Sequence, residues 1–201
     1  MLSRDGFEGY AFSHSAVSGT VAAGLAGGSE IFQFRWLKAA AGAPVGQRCR
    51  ILAVYLSAAV DATGFTAGAA QFSLKVARSW TADGSGGTDV TPAGNDNKMR
   101  TSQKSSLLIP NGGKIRIANT GALTAGTKTL DAQAVGNVVS AAGAAGTLMV
   151  GPLAPLYADG VTTFATPLVL DDKEGFVVVA SVPVVGTWKF GVTTFWAEID
   201  A

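Results

Sequence analysis

The feature that most constrains this chain is a two-residue period. From Thr187 to Trp196, Trp188, Phe190, Val192, Thr194 and Trp196 occupy every second position, and Lys189, Gly191, Thr193 and Phe195 fill the gaps. Side chains of an extended strand alternate between its two faces, so this spacing gathers the large groups on one side. Phe32, Phe34 and Trp36 alternate with Gln33 and Arg35, which reads as a half-buried strand. From Gln71 to Trp80, Phe72, Leu74 and Val76 oppose Gln71, Ser73 and Lys75. From Arg48 to Leu56, Cys49, Ile51, Ala53 and Tyr55 alternate with Arg50, Leu52, Val54 and Leu56. Both faces of that segment are apolar after Arg50, so it reads as a central strand or one covered on both sides.

The segment Gly175–Ala180 is apolar and β-branched, and it runs through Pro183 and Gly186 into the Thr187–Trp196 strand. This reads as a hairpin that closes the domain. Shorter strand candidates are Lys114–Ala118, Thr147–Val150, Val161–Phe164 and Leu168–Leu170. Helical periodicity is missing. Twenty-six glycines are scattered through the chain, and no i, i+3, i+4, i+7 pattern of apolar residues outlasts two turns. The Ala-rich stretch Leu130–Ala145 has room for one short helix, with Gly136, Gly143 and Gly146 opposing a longer one. The expected fold is all-β, a jelly-roll-like β-sandwich of about eight strands with long Gly/Ala/Thr-rich loops.

Those loops fall at 81–97 and 119–146, both poor in large side chains. Loops of that length are uncommon in compact domains and are usually functional or disordered. The strands before Trp80 and after Gly146 would then build the sandwich, with the middle as an excursion. Residues 1–28 read as an N-terminal arm rich in small residues, and 29–201 as a single sandwich domain.

A chain of 201 residues can hide roughly 70% of its unfolded surface. Its charged fraction is 14%, against the usual figure of about 25%. So few charges on a chain that is 48% apolar point to a surface partly covered by a partner. The net charge is +1, and the nearest basic cluster is Lys98, Arg100 and Lys104, which has no aromatic neighbours to stack on bases. Nucleic acid and anionic membranes are therefore not expected partners. The first residues carry no apolar run after Arg4, so no signal peptide is expected. The most hydrophobic run, Phe176–Val185, contains Pro183 and falls well short of the roughly 20 residues of a membrane helix. Cys49 is the single cysteine, so no intrachain disulfide or thiolate zinc site can form. In its apolar strand it reads as a small packed hydrophobe, and a reducing compartment fits.

Catalytic candidates are few. His14 is the only histidine, in Tyr10-Ala11-Phe12-Ser13-His14-Ser15, and no G-x-S-x-G elbow accompanies it. One histidine also leaves a metal short of nitrogen ligands. Asp171, Asp172 and Glu174 cluster in a turn between two apolar runs, where acids are solvated and do not face one another across a sugar. Asp83, Asp89, Asn95, Asp96 and Asn97 offer oxygens for calcium, but at no EF-hand spacing. Gly84-Ser85-Gly86-Gly87 lacks the Lys-Ser/Thr of a phosphate loop and reads as a turn. Trp36, Trp80, Trp188 and Trp196 sit in or at the ends of strands beside phenylalanines, which favours core packing over sugar platforms. The residues point to no enzyme, no cofactor and no metal.

The ending carries a resemblance. Asp171-Asp172-Lys173-Glu174-Gly175 leads into the Phe176–Ala180 strand, then Gly186-Thr187-Trp188-Lys189-Phe190 and Phe195-Trp196-Ala197-Glu198. This resembles the C-terminal part of decoration (cement) proteins of tailed-bacteriophage heads, which have a jelly-roll-like β-sandwich. Phe32-Gln33-Phe34-Arg35-Trp36 and Arg78-Ser79-Trp80 are similar in style, and the likeness covers about half the chain. It implies a homotrimer made in the host cytoplasm and seated on the outer surface of the head, where it binds the major capsid protein and stabilises the shell. The arm at 1–28 or the loops at 81–97 and 119–146 would then touch the capsid. Rival readings are another virion component (tail, baseplate or head-fibre subunit) or a carbohydrate-binding β-sandwich module, which needs solvent-facing tryptophans.

Overall fold

A computed structural model describes residues 11–22, 24–38, 48–66, 68–93, 97–160 and 167–199. Among them the chain forms twelve strands and no helix. In order these are β1 (Ala11–Val17), β2 (Val21–Ala22), β3 (Ser29–Trp36), β4 (Arg48–Val60), β5 (Ala69–Ala82), β6 (Thr88–Asp89), β7 (Lys114–Ile117), β8 (Thr127–Ala141), β9 (Leu148–Ala158), β10 (Val169–Leu170), β11 (Glu174–Ser181) and β12 (Thr187–Ile199). All pairings are antiparallel, in two six-stranded sheets that make a β-sandwich. In the first sheet β12 and β4 are central. β1 and β2 line the far side of β12, and β9 and β10 line the far side of β4. The second sheet runs β6-β7-β3-β11-β5-β8.

The two-residue period explains the core. Trp188, Phe190, Val192, Thr194 and Trp196 of β12 are all buried, as are Phe72 and Leu74 of β5. Aromatic rings tie one sheet to the other. Phe34 lies 5.2 Å from Phe176 beside it and 5.5 Å from Trp196 opposite, and Phe72 lies 5.6 Å from Trp188. Each such side chain, fully buried, is worth about 1.5–3 kcal/mol of transfer energy. The paired rings add about 0.5–1.5 kcal/mol more.

Several expectations are corrected. β11 and β12 are not a hairpin: β11 pairs with β3 and β5, whereas β12 pairs with β1, β2 and β4. The Pro183–Gly186 turn crosses between sheets because Phe176 and Trp188 must both face the core, from opposite sides. The arm at 1–28 gives way at Ala11, where β1 joins the first sheet and Phe12 stacks on Trp196 at 5.6 Å. Residues 1–10 of that arm lie outside the described residues.

Segment 119–146 is neither a long loop nor a helix. Thr127–Ala141 forms the edge strand β8 on β5, so the middle of the chain belongs to the second sheet. Its glycine has a steric cause: a Cβ on Gly136 would lie 1.6 Å from the carbonyl oxygen of Leu156 in β9. β8 therefore packs backbone-close to β9 and closes that side of the sandwich. The 81–97 segment is irregular around β6, apart from Thr81 and Ala82 in β5, and 94–96 lie outside the described residues. The Val161–Phe164 candidate also lies outside them.

Candidate interaction surface

The candidate acids are each held in ion pairs or hydrogen bonds. His14 faces Thr194 across the β1–β12 pair; its Nε2 is buried without a hydrogen-bond partner, and burial lowers its pKa. Asp171 is ion-paired with Lys38 and with Arg48 (3.0 Å). Hydrogen bonds from Lys38, the Asp172 N–H and Arg48 hold its pKa at about 2. Asp172 accepts the Lys38 backbone N–H at 3.0 Å, and Glu174 is bound to Arg78 at 2.7 Å.

The calcium reading finds no convergence. Asp83 pairs with Arg35 (3.1 Å), and Asp89 pairs with Lys114 (2.8 Å) and accepts Thr91. Asn97 is buried, and Asn95 and Asp96 lie outside the described residues. Among the described residues no group of His, Cys, Asp and Glu is placed to hold a metal. All four tryptophans are buried, and Cys49 is fully enclosed, its thiol pKa pushed up by burial and by Glu198.

The two outer faces of the sandwich differ sharply. That of the second sheet is roofed. Gln33 and Arg35 point outward on β3, yet are only 1% and 9% exposed. The half-buried strand expected there is covered on both sides. Gln33 donates to the Thr124 carbonyl (2.9 Å) and accepts the Gly84 N–H (3.3 Å). Gly84 approaches so closely that a Cβ would lie 1.9 Å from the Thr124 oxygen. Beside this, Trp80, Ala77, Val177 and Val179 form a second small core with Leu130. The loop segments around 84 and 124 are thus spent on covering their own sheet.

The outer face of the first sheet has no such roof among the described residues. Over the middle of the sheet its outward positions on β12 and β4 are Lys189, Gly191, Thr193, Phe195, Leu52, Tyr55, Ser57 and Ala59, and at the start of β4 the same face carries Arg48 and Arg50, paired with Asp171 and Asp159. Over that middle stretch Lys189 is the one charged residue, and it pairs with Asp61 at 3.4 Å. Tyr55 meets Phe195 edge-on at 6.1 Å. Leu52, Ala53, Tyr55, Met99, Leu153 and Phe195 line an open apolar recess of about 480 Å³. Leu153 is 60% exposed and Met99 54%. Leu153 also holds φ at 56°, and so does the exposed Val185 at 70°. Left-handed backbone costs a non-glycine residue about 1–2 kcal/mol. Here that strain presents apolar side chains to solvent, a pattern associated with functional contacts.

A second recess of about 340 Å³ opens where β8 meets β9, lined by Gln133, Ala134, Val135, Tyr157, Pro167 and Leu168, with Asp131 at its edge. Asp131 is taken by Arg78 (3.0 Å), and the Tyr157 hydroxyl accepts the Leu168 N–H (2.8 Å). It too offers shape and apolar area rather than free reactive groups.

No family model, no curated protein and no solved structure matches the chain. The bare face was not located by sequence reasoning. Its signal was present only as the low overall charge, because small neutral residues between core positions do not announce which face they occupy.

Proposed function

We propose that the chain is a non-catalytic structural protein that works by contact, and specifically a decoration protein of a tailed-bacteriophage head. In this reading it forms a homotrimer on the outer surface of the shell and binds the major capsid protein. One observation carries the contact reading: the second sheet is roofed by its own loops, while the first presents a sparsely charged apolar stretch around the Tyr55–Phe195–Leu153 recess, with Arg48 and Arg50 at its border. A face of that kind suits burial against another protein. The virion placement rests on the resemblance of the C-terminal segment. Trimer symmetry would multiply modest contacts through avidity, with more than about 1,000 Å² buried per stable attachment.

The test is co-sedimentation with heads lacking the protein. Wild-type chain is expected to bind and to raise their heat resistance, and the Leu153→Asp/Phe195→Asp double variant to stay in the supernatant with an unchanged circular-dichroism spectrum. A folded double variant that still binds removes the bare face from the interface. Wild-type chain that never binds heads removes the decoration reading. A tail, baseplate or head-fibre subunit would use the same kind of contact at another place in the particle. The carbohydrate-binding reading loses its main support, since the tryptophans it needs at the surface are buried.

A further inference from the structure

The roof over the second sheet contains a buried lysine, carboxylate and carboxamide in reactive order. Lys128 Nζ lies 2.8 Å from Glu30 Oε2, with side-chain exposures of 1% and 4%. Gln33 Nε2 donates to the same oxygen, Glu30 Oε2, at 2.6 Å. The amine and the amide nitrogen therefore share one carboxylate oxygen. Gln33 Oε1 accepts the Gly84 N–H at 3.3 Å, and Gln33 Nε2 also donates to the Thr124 carbonyl at 2.9 Å. Lys128 Nζ sits over the Trp80 ring, 4.5 Å from its centroid, and donates to the Ala125 carbonyl. Removing a lysine and a glutamate from water is expensive, and a hydrophobic replacement often serves stability as well or better. The site thus holds a costly arrangement whose geometry suits chemistry.

We propose that Lys128 and Gln33 are the reactants of an autocatalytic amide cross-link, with Glu30 as the proton carrier. Lys128 Nζ passes a proton to Glu30 Oε2, and its lone pair adds to Cδ of Gln33. Negative charge gathers on Oε1, where the Gly84 N–H donates. Such a preplaced donor is what stabilises an oxyanion. Glu30 delivers the proton to Nε2, the Cδ–Nε2 bond breaks to release ammonia, and Glu30 relays the second proton from Nζ to that ammonia. One C–N bond forms and one breaks. The lysine loses two protons, the leaving nitrogen gains two, and it departs as ammonium. No oxidant, reductant or further reactant is needed. Burial by Trp80 and the loops keeps competing water from Cδ. The product ties β3 to the start of β8 and locks the roof in place.

The deciding measurement is the intact mass of the full chain, folded and then denatured. The expected mass is below that of the sequence by one ammonia, with a tryptic digest that joins the peptides carrying Gln33 and Lys128. Wild-type protein at the full sequence mass overturns the proposal, as does an ammonia loss mapped elsewhere. Glu30→Gln, shown to be folded by circular dichroism, is expected at full mass; if it also loses ammonia, Glu30 is not the proton carrier. The wild-type mass decides the cross-link even where that variant does not fold.

Discussion

Gly136→Ala tests the closure of the sandwich by β8. The added Cβ would lie 1.6 Å from the Leu156 carbonyl oxygen and 2.8 Å from its carbon. Ordinary contact between such atoms needs about 3.3–3.6 Å, so the two backbones must part by about 2 Å. Both atoms are main chain, so no flexible side chain can yield. Overpacking of this kind costs about 1–3 kcal/mol. For a chain of this size about 2 kcal/mol lowers Tm by about 4–8 °C. Gly151→Ala is the control. It lies in β9, where a Cβ meets nothing within 4 Å. There the loss of unfolded-state freedom is expected to leave stability level or to raise it by up to about 1 kcal/mol. Differential scanning calorimetry of both variants decides. Equal Tm values would refute the close β8–β9 packing.

Two further outcomes concern pH. Burial lowers the pKa of His14 below its ordinary value of 6.5, so its contribution to stability is present above that value and is lost as pH falls through it toward the folded pKa. Melting curves taken from about pH 7.5 down to 5.5 should fall less steeply for His14→Gln than for wild type. Asp171, held near 2 by Lys38, Asp172 and Arg48, stabilises the fold above 3.8 and stops doing so as pH drops from there toward 2. Asp171→Asn should remove part of that acid-sensitive stability, about 1 kcal/mol or less because the pair is partly solvated. An acid-unfolding midpoint identical to wild type would remove Asp171 from the account.

The legibility of the fold followed side-chain size. Where Trp, Phe and Val alternated, as in β12 and β5, the sequence pointed to strands and to their buried faces. β8 escaped because Ala132, Ala134, Gly136 and Asn137 carry neither β-branching nor bulk. Their small size reflects the closeness of β9 rather than a loop. The β11–β12 connection was misread because local apolar pattern does not distinguish a hairpin from a crossing between sheets, since both bury the same residues. Gln33 and Arg35 read as the polar face of a half-buried strand. Only the distant segments around Gly84 and Thr124 bury them, and such long-range coverage has no local signature.

The central claim is that the outer face of the first sheet is the binding surface. Hydroxyl-radical footprinting of the chain, free and on the assembled particle, tests it most directly. The account predicts that Tyr55, Met99, Leu153 and Phe195 are oxidised in the free protein and protected in the assembly. Equal oxidation of these residues in both states, with protection elsewhere, would contradict it.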